Sequence, residues 1–419
     1  MLEKIFNLIN RIKRVFFPFY KDAELKFVFQ KLQEGFPSEK ITARFVGGCV
    51  RKYLSNSDID DIDIATTLSS DEIKERFYNT NFRVIDTGIQ HGTVTLKSKK
   101  HKLEITTLRK DIETDGRHAE VEYIDDWKLD SERRDFTINA IYLDIHGKIF
   151  DPQNGIVDLK NKNVKFIGDP YKRVEEDYLR IIRFIRFKIM YDSEVEASTD
   201  NAIKQNLIGI KKISKERILV ELIKILNLKN FIYLNESIYL KEIFNLIFPE
   251  FANLKRLNRL KKILNNSKIN FKLLLAILLI DKDNNHEYFS HKYNVSNDIQ
   301  DDLNLLASNF KLLQNDKDFF IKNIEKNIYL SGKSHLINLN ILNFASNPKY
   351  SFENFSETLR KILKSKTHKF NIDGKYLMDR GMKEGVLLGK VLRKIEEEWI
   401  DNNFKISDER IQEIINKNS

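Results

Sequence analysis

The sequence predicts a mixed α/β N-terminal domain followed by an all-α C-terminal region, and three observations carry that reading. Up to about Asp169 short runs of β character recur: "ARFVGG", "FRVIDTG", "GTVTLKS", "HKLEITTLR", "AEVEYI" and "AIYLDIHGKIFD", with helical stretches such as "LSSDEIKERFYN" between them. Beyond Asp169 the alternation fades, and apolar residues fall at three- and four-residue spacing, the period of a helix face. The third observation is composition. With 419 residues, 42% of them hydrophobic and 32% charged, the chain can bury a real core as a soluble globular protein. That length suits roughly two to four domains.

The N-terminal stretch "MLEKIFNLINRIKRVFFPFY" has apolar residues at helical spacing, interrupted by Lys4, Arg11, Lys13 and Arg14. It lacks the unbroken apolar run of a signal peptide. A helix packed on its own protein is the expectation, with a membrane-surface helix as the alternative. No other stretch is long and apolar enough to span a bilayer. Cys49 is the only cysteine, which excludes an internal disulfide and suits a reducing cytosol. A cytoplasmic protein is expected. The formal net charge of +10 points to a polyanionic partner, nucleic acid above all, or to a lysine-rich surface that only keeps the chain soluble. Softer joints near "GDPYKR", "LNLKNFIYLNES" and "NFASNPKYSFEN" divide the chain. The expected segments are a helical extension (1–22), the α/β domain (23–168), a helical segment (169–230), a helical body (231–345) and a helical tail (346–419).

Within the α/β domain, "FVGG" reads as a strand ending in a turn at Gly47 and Gly48, and "CVRKYL" as the start of a short helix. Such a turn lets backbone amides approach a phosphate, and a helix N-terminus adds a favourable dipole. Arg51 stands ready to help neutralise a triphosphate. About ten residues later, "SDIDDIDIAT" alternates aspartate with isoleucine. Side chains two apart on a strand point the same way. Asp61 and Asp63 therefore share one face, while Ile62 and Ile64 pack on the other. Two carboxylates aimed alike are costly unless a cation lies between them, and oxygen ligands of this kind suit Mg²⁺. Asp58 and Asp60 have the same spacing. Asp61 and Asp63 are preferred because apolar residues follow both and "IAT" continues as strand. In "HKLEITTLR", Leu103 and Ile105 share one face and Glu104 and Thr106 the other, so Glu104 is either a third carboxylate of the site or an exposed strand residue. Strand, Gly-Gly turn, helix, D-x-D and a neighbouring carboxylate together resemble the layout of a polymerase-β-like nucleotidyltransferase, whose two-metal chemistry needs such acids.

Further motifs narrow the resemblance. "LRKDIETDGRHAEVEY" begins at Leu108, "RRDFTINAIYLD" at Arg133, "EEDYLRIIRFIRF" at Glu175 and "ISKERILVEL" at Ile213. With "FVGGCVRKYL", "DDIDIATTL" and "GIQHGTVTL", they resemble the class II tRNA nucleotidyltransferase and bacterial poly(A) polymerase family, in the family's order from Phe45 to about Leu222. "IDGKYLMDRGMKEGVLLGKVLRKIEEEWI" from Ile372 is similar to the C-terminal segment of the bacterial CCA-adding members. The resemblance implies a catalytic head over 23–168, a nucleobase-recognition neck over 169–230 and an elongated all-α remainder ending in a tRNA-binding tail.

It also implies roles. Arg134 and Asp135 match a motif that contacts the nucleotide's ribose, and Asn139 supports the same pocket. Asp177 and Arg180 match a protein template for the incoming base. On a continuous helix Asp177 and Arg180, three apart, and Glu176 and Arg180, four apart, share a face; an ordinary helix salt bridge is the alternative. An aspartate accepting from the exocyclic amine of C or A, beside an arginine donor, leaves U and G with unpaired groups. The stretch from Asp111 to Glu122, with Gly116, Arg117 and His118, matches a flexible loop of members that complete all three additions. One departure is Lys52, where the family carries an acid beside Arg51.

The implied activity is addition of CMP, CMP and AMP to the tRNA 3′ end from CTP and ATP with Mg²⁺; iterative AMP addition by a poly(A) polymerase is the alternative. The expected partner is the acceptor and TΨC region of tRNA, with no membrane and no protein partner implied. "NLKRLNRLKKILNN" puts Leu254, Leu257, Leu260 and Ile263 on an apolar stripe and Lys255, Arg256, Arg259, Lys261 and Lys262 on a basic face, either tracking RNA phosphates or merely solvated. His286 and His291 lack the adjacent aspartate of a phosphohydrolase metal site and are expected at the surface.

Overall fold

In a computed structural model describing residues 18–88, 92–114, 119–263, 269–316 and 318–418, the alternating runs of the first half pair into one sheet. The strands are β1 (Ala43–Val46), β2 (Ile62–Thr66), β3 (Arg83–Gly88), β4 (Thr93–Lys97), β5 (Lys102–Thr107), β8 (Tyr142–Leu143) and β9 (Ile149–Phe150). Their order is β3-β4-β5-β2-β1-β8-β9. The β2–β5 pair is parallel and its neighbours are antiparallel. The parallel pair requires a crossover, here supplied by a helix, Ser70–Phe77, and the β3–β4 hairpin. A capping box between Ser69 and Glu72 starts that helix.

One face of the sheet packs Phe45, Ile64, Val94, Leu96, Leu103 and Ile105 against Val28 and Leu32 of the helix Ala23–Gln33 and Ile73 and Phe77 of the crossover helix. All ten are at most 1% exposed, and each such side chain contributes roughly 1.5–3 kcal/mol by burial. Val46, Ala65, Leu108 and Tyr142 form a smaller cluster. The stretch from Asp111 to Glu122, foreseen as a loop though it overlaps the expected β run "AEVEYI", is strand at both flanks. Arg109–Thr114 (β6) and Ala119–Tyr123 (β7) pair as a separate two-stranded sheet. Gly116, Arg117 and His118 lie outside the described residues, as do Lys4, Arg11, Lys13 and Arg14.

Helices follow the sheet: α1 (Pro170–Glu176), α2 (Leu179–Tyr191), α3 (Ala197–Asn206), a 3₁₀ turn (Leu207–Lys212) and α4 (Lys215–Leu226). The described residues divide into two compact units, one ending at Phe231 and one beginning at Ile232.

In the second unit every regular element among the described residues is helical. Leu254, Leu257, Leu260 and Ile263 are buried, as their spacing predicts. The basic face beside them is only partly a surface. Arg256 donates to the carbonyls of Ile277 and Ile280, and Arg259 to those of Phe344 and Tyr350, so both close helix ends instead of facing solvent. His286 also departs from expectation. It is 4% exposed, and burial pushes its pKa down, whereas His291 is exposed. Leu377, Val391, Ile395, Ile411, Ile414 and Ile415 form a separate core among the last helices. No helix among the described residues is long and apolar enough to cross a membrane.

Candidate active site

The glycine turn sits directly beneath the second aspartate of the D-x-D. Val46 is the register partner of Asp63, and the chain then turns through Gly47 into the helix Gly48–Leu54. Gly47 has φ +73°, a conformation costly for other residues, and a Cβ there would lie 3.3 Å from Asp63 Oδ2. Gly48 meets neither constraint. On the other side of β2, Asp63 is opposite Glu104 of parallel β5, so the two carboxylates share a face while Ile62, Ile64, Leu103 and Ile105 are buried. Asp61 lies exposed just ahead of β2.

This crowding has an electrostatic signature. Burial first, then the neighbouring Glu104 and Asp61, raise the Asp63 carboxyl to about 6, against the pull of Arg134 and Arg51. Glu104 is joined by Lys102 Nζ at 2.9 Å. Among the described residues, no three acidic, histidine or cysteine side chains converge as a ready-made ion cage. Lys52 pairs with Asp60, whose Oδ1 also accepts from the Asp61 amide at 2.9 Å. The unusual lysine thus ties down the approach to Asp61.

Arg51 has a different environment from the one expected. It is 7% exposed, hydrogen-bonds Asn139 Oδ1 and stacks 4.6 Å from the Phe187 ring centroid. Asn139 in turn donates to Asp135 Oδ1 at 2.8 Å, and the Phe136 amide donates to the same oxygen at 2.9 Å. Asp135 Oδ2 takes Arg183 Nε at 2.7 Å and its Nη2 at 2.5 Å. A carboxylate has about four lone-pair sites, and here all are used. A second buried knot lies nearby. Asp130 receives Tyr142 OH at 2.7 Å, Arg133 at 2.8 Å and Arg134 at 2.9 Å. Burial would raise both Asp130 and Asp135. The arginines Arg134 and Arg133 around one and Arg183 around the other outweigh it, holding both well below the ordinary carboxylate value.

The continuous helix expected through "EEDYLR" is corrected. α1 ends at Glu176, Asp177 is extended at φ −154° and ψ 104°, and α2 starts at Leu179. Asp177 and Arg180 therefore do not pair. Asp177 bonds Arg217 at 2.7 Å and accepts from the Leu179 amide at 3.1 Å. Arg180 bonds Glu176 at 2.6 Å and the Arg173 carbonyl at 2.8 Å. Arg173 also donates to the carbonyls of Arg133 and Arg134, tying α1 to the "RRDF" stretch. A cavity of 240 Å³ opens between Arg133, Arg173 and Glu176 and the base of the β6–β7 hairpin at Lys110 and Asp111. Sequence reasoning missed Asp130, Arg173, Arg183 and Arg217 as site residues. Asp130 and Arg134 did offer a signal at helical i, i+4 spacing, and Arg217 and Glu221 sit inside a quoted motif. Glu221 lies 3.2 Å from Arg186 and 3.9 Å from Arg183.

Comparison with known proteins agrees with this architecture. A family model described as the poly A polymerase head domain matches residues 43–165, and one described as a probable RNA and SrmB-binding site of polymerase A matches 194–255. The mitochondrial CCA tRNA nucleotidyltransferase 1 of Mus musculus is 32% identical over 93% of this chain and 89% of its own. The CCA-adding enzyme of Lactobacillus helveticus is 33% identical over 89% of this chain and 92% of its own. A solved structure of the Bacillus stearothermophilus CCA-adding enzyme in complex with CTP has the same fold. Its TM-score is 0.66 at 22% identity, covering 93% of this chain and 95% of that one. Full-length similarity above 30%, on a nucleotidyltransferase sheet carrying its paired carboxylates, makes this chain an enzyme of the CCA-adding tRNA nucleotidyltransferase family.

Proposed function

We propose that the chain adds CMP, CMP and AMP in turn to the 3′ end of tRNA, using CTP and ATP. In each step the 3′-hydroxyl oxygen forms a bond to the α-phosphorus and the bond to the β-phosphate oxygen breaks. Pyrophosphate leaves with that electron pair, and the hydroxyl proton passes to solvent. The observation that carries this reading is Asp63 opposite Glu104 and above Gly47, with its carboxyl pushed up to about 6.

An all-oxygen donor set in which one carboxylate is already destabilised by others suits a hard divalent cation. Asp61 and Asp63 would hold Mg²⁺ together with phosphate oxygens, and Glu104 would exchange its Lys102 partner to help. The ion supplies acidification of the attacking hydroxyl and charge shielding of the leaving pyrophosphate. The glycine turn keeps side chains away from Asp63 and from the triphosphate. Arg51 acts through Asn139 and Asp135, bracing the turn from behind. The ribose contact foreseen for Arg134 and Asp135 requires Arg183 to release one of its two bonds.

Base choice rests with Asp177 and Arg180. Held by Arg217 and by Glu176, the pair presents an acceptor for the exocyclic amine and a donor for the ring nitrogen of C or A. UTP and GTP leave those groups unpaired. The helical second unit is assigned to the acceptor and TΨC region of tRNA, read by shape and backbone. The test is incubation of the purified protein with Mg²⁺, tRNA lacking its 3′ end and each labelled nucleotide. Two C and one A, then arrest, is the expected product; long A tracts would make the chain a poly(A) polymerase instead.

A further inference from the structure

Tyr178 occupies the helix break between Asp177 and Arg180. Its ring lies on Gly209, in the 3₁₀ turn Leu207–Lys212. A Cβ at Gly209 would sit 2.2 Å from Tyr178 Cδ1 and Cε1 and 2.5 Å from Cγ. The Gly209 backbone is not in the left-handed region, so nothing but space excludes a side chain there. Ordinary carbon contacts lie near 3.5–4.0 Å, so the ring would have to retreat by about 1.5 Å to admit a single methyl.

The same stretch reaches the break at two other points. Lys212 Nζ lies 5.5 Å from the Tyr178 ring centroid, and Arg217, at the start of α4, bonds Asp177 at 2.7 Å. Backbone bonds carry the ring's position into both base-reading residues. The Arg180 amide donates to the Asp177 carbonyl at 3.0 Å, and the Ile181 amide to the Tyr178 carbonyl at 3.1 Å. We propose that Gly209 is a positioning residue for nucleotide selection. By presenting bare backbone to the Tyr178 ring, it lets the segment from Leu207 to Arg217 splint the break that separates Asp177 from Arg180. The proposal rests on the base-reading role of Asp177 and Arg180 given above.

The test is the ratio of kcat/KM for CTP over UTP, measured on the full chain with tRNA lacking its 3′ end. A displacement near 1 Å in a positioned group can cost up to about 100-fold. Gly209→Ala is accordingly expected to lower the ratio roughly 10- to 100-fold, chiefly by raising KM for CTP, while melting stays cooperative. Tyr178→Phe keeps the ring and should keep the ratio. Tyr178→Ala removes the ring without adding bulk. It should lower the ratio alone, and Gly209→Ala should cost nothing further on that background, because the clash is gone. Should Gly209→Ala reduce folded yield, Tyr178→Ala decides by itself. A wild-type ratio in folded Gly209→Ala, or additive losses in the double variant, overturns the proposal. Asp177→Ala is run alongside. If it relaxes discrimination and the clamp variants do not, only the clamp fails; if it leaves discrimination intact, the base-reading role fails and the clamp with it.

Discussion

Asp63 and Asp135 lie in the same compact unit, and for both burial is the largest influence and pushes the carboxyl upward. They nevertheless end on opposite sides of the ordinary value. Asp135 has an arginine fork, an amide side chain and a backbone amide on its two oxygens. Asp63 has the acids Glu104 and Asp61 as neighbours, set against the Coulombic pull of Arg134 and Arg51. One carboxylate is fully compensated by the protein, and the other is left short of positive charge. The difference separates architecture from chemistry. The saturated knots around Asp130 and Asp135 hold the elements together, while the uncompensated carboxylates on the central strands β2 and β5 mark where a cation and a triphosphate would be welcome.

The largest effect should fall on the uncompensated carboxylates. Asp61→Ala and Asp63→Ala are expected to reduce incorporation of every nucleotide by about 1,000-fold or more, the several kcal/mol that bound metal supplies, with tRNA affinity nearly unchanged. Retained turnover in both variants, measured with labelled CTP, would collapse the distinction. Next comes the knot. Asp135→Asn leaves the partly buried Arg183 with Glu221 and Asp177 as its remaining acidic neighbours, and denaturant unfolding should read a loss of about 2 kcal/mol.

Stability should respond to pH with opposite signs in the two regions. Folding raises Asp63 from 3.8 to about 6, so its charge costs stability as pH rises through that window, with the full penalty above it. Asp63→Asn is expected to stabilise the metal-free protein by about 3 kcal/mol above pH 6 and to gain nothing below pH 4. Asp130 and Asp135 are held below their ordinary 3.8, so their contribution is present above that value and is lost as pH falls through their depressed range. Denaturant midpoints followed from about pH 2 to 8 should fall toward the acid end through Asp130 and Asp135 and fall again above about pH 4 through Asp63; one common sign across the whole range would overturn the contrast. Asp177→Ala should weaken discrimination of CTP over UTP by roughly 10- to 150-fold, the worth of one charged hydrogen bond, with a smaller effect on transfer rate. Lys52→Ala is the smallest change. Its pair with Asp60 is largely exposed, and melting should shift by less than about 1 kcal/mol.

The legible part of the site is the part encoded by short-range pattern. The alternation in "DIDIAT" and "HKLEITT" already sets Asp63 and Glu104 on the face opposite Ile62, Ile64, Leu103 and Ile105, because strand pleating repeats every two residues whatever surrounds it. The illegible part is partner choice. Asp177 and Arg180 are three apart and look like a helical pair, but the chain breaks between them and each finds another partner. Likewise Arg256 and Arg259 look solvated in a lysine-rich stretch, and His286 looks like a surface residue. Whether such groups meet water or a distant carbonyl is not a local property.

The sequence by itself therefore determined the two textures of the chain, the strand that carries Asp63 with Asp61 just ahead of it, the placement of Glu104 on an alternating strand and the membership of an ordered motif set. Only the tertiary structure decided that Asp63 faces Glu104 across a parallel pair, that Arg51 leans on Asn139 and Phe187, and that Asp177 answers to Arg217. The physical reason is one of range. Periodicity and turn chemistry act over a few residues, whereas the state of these charges depends on groups brought to them from 40 to 88 positions away.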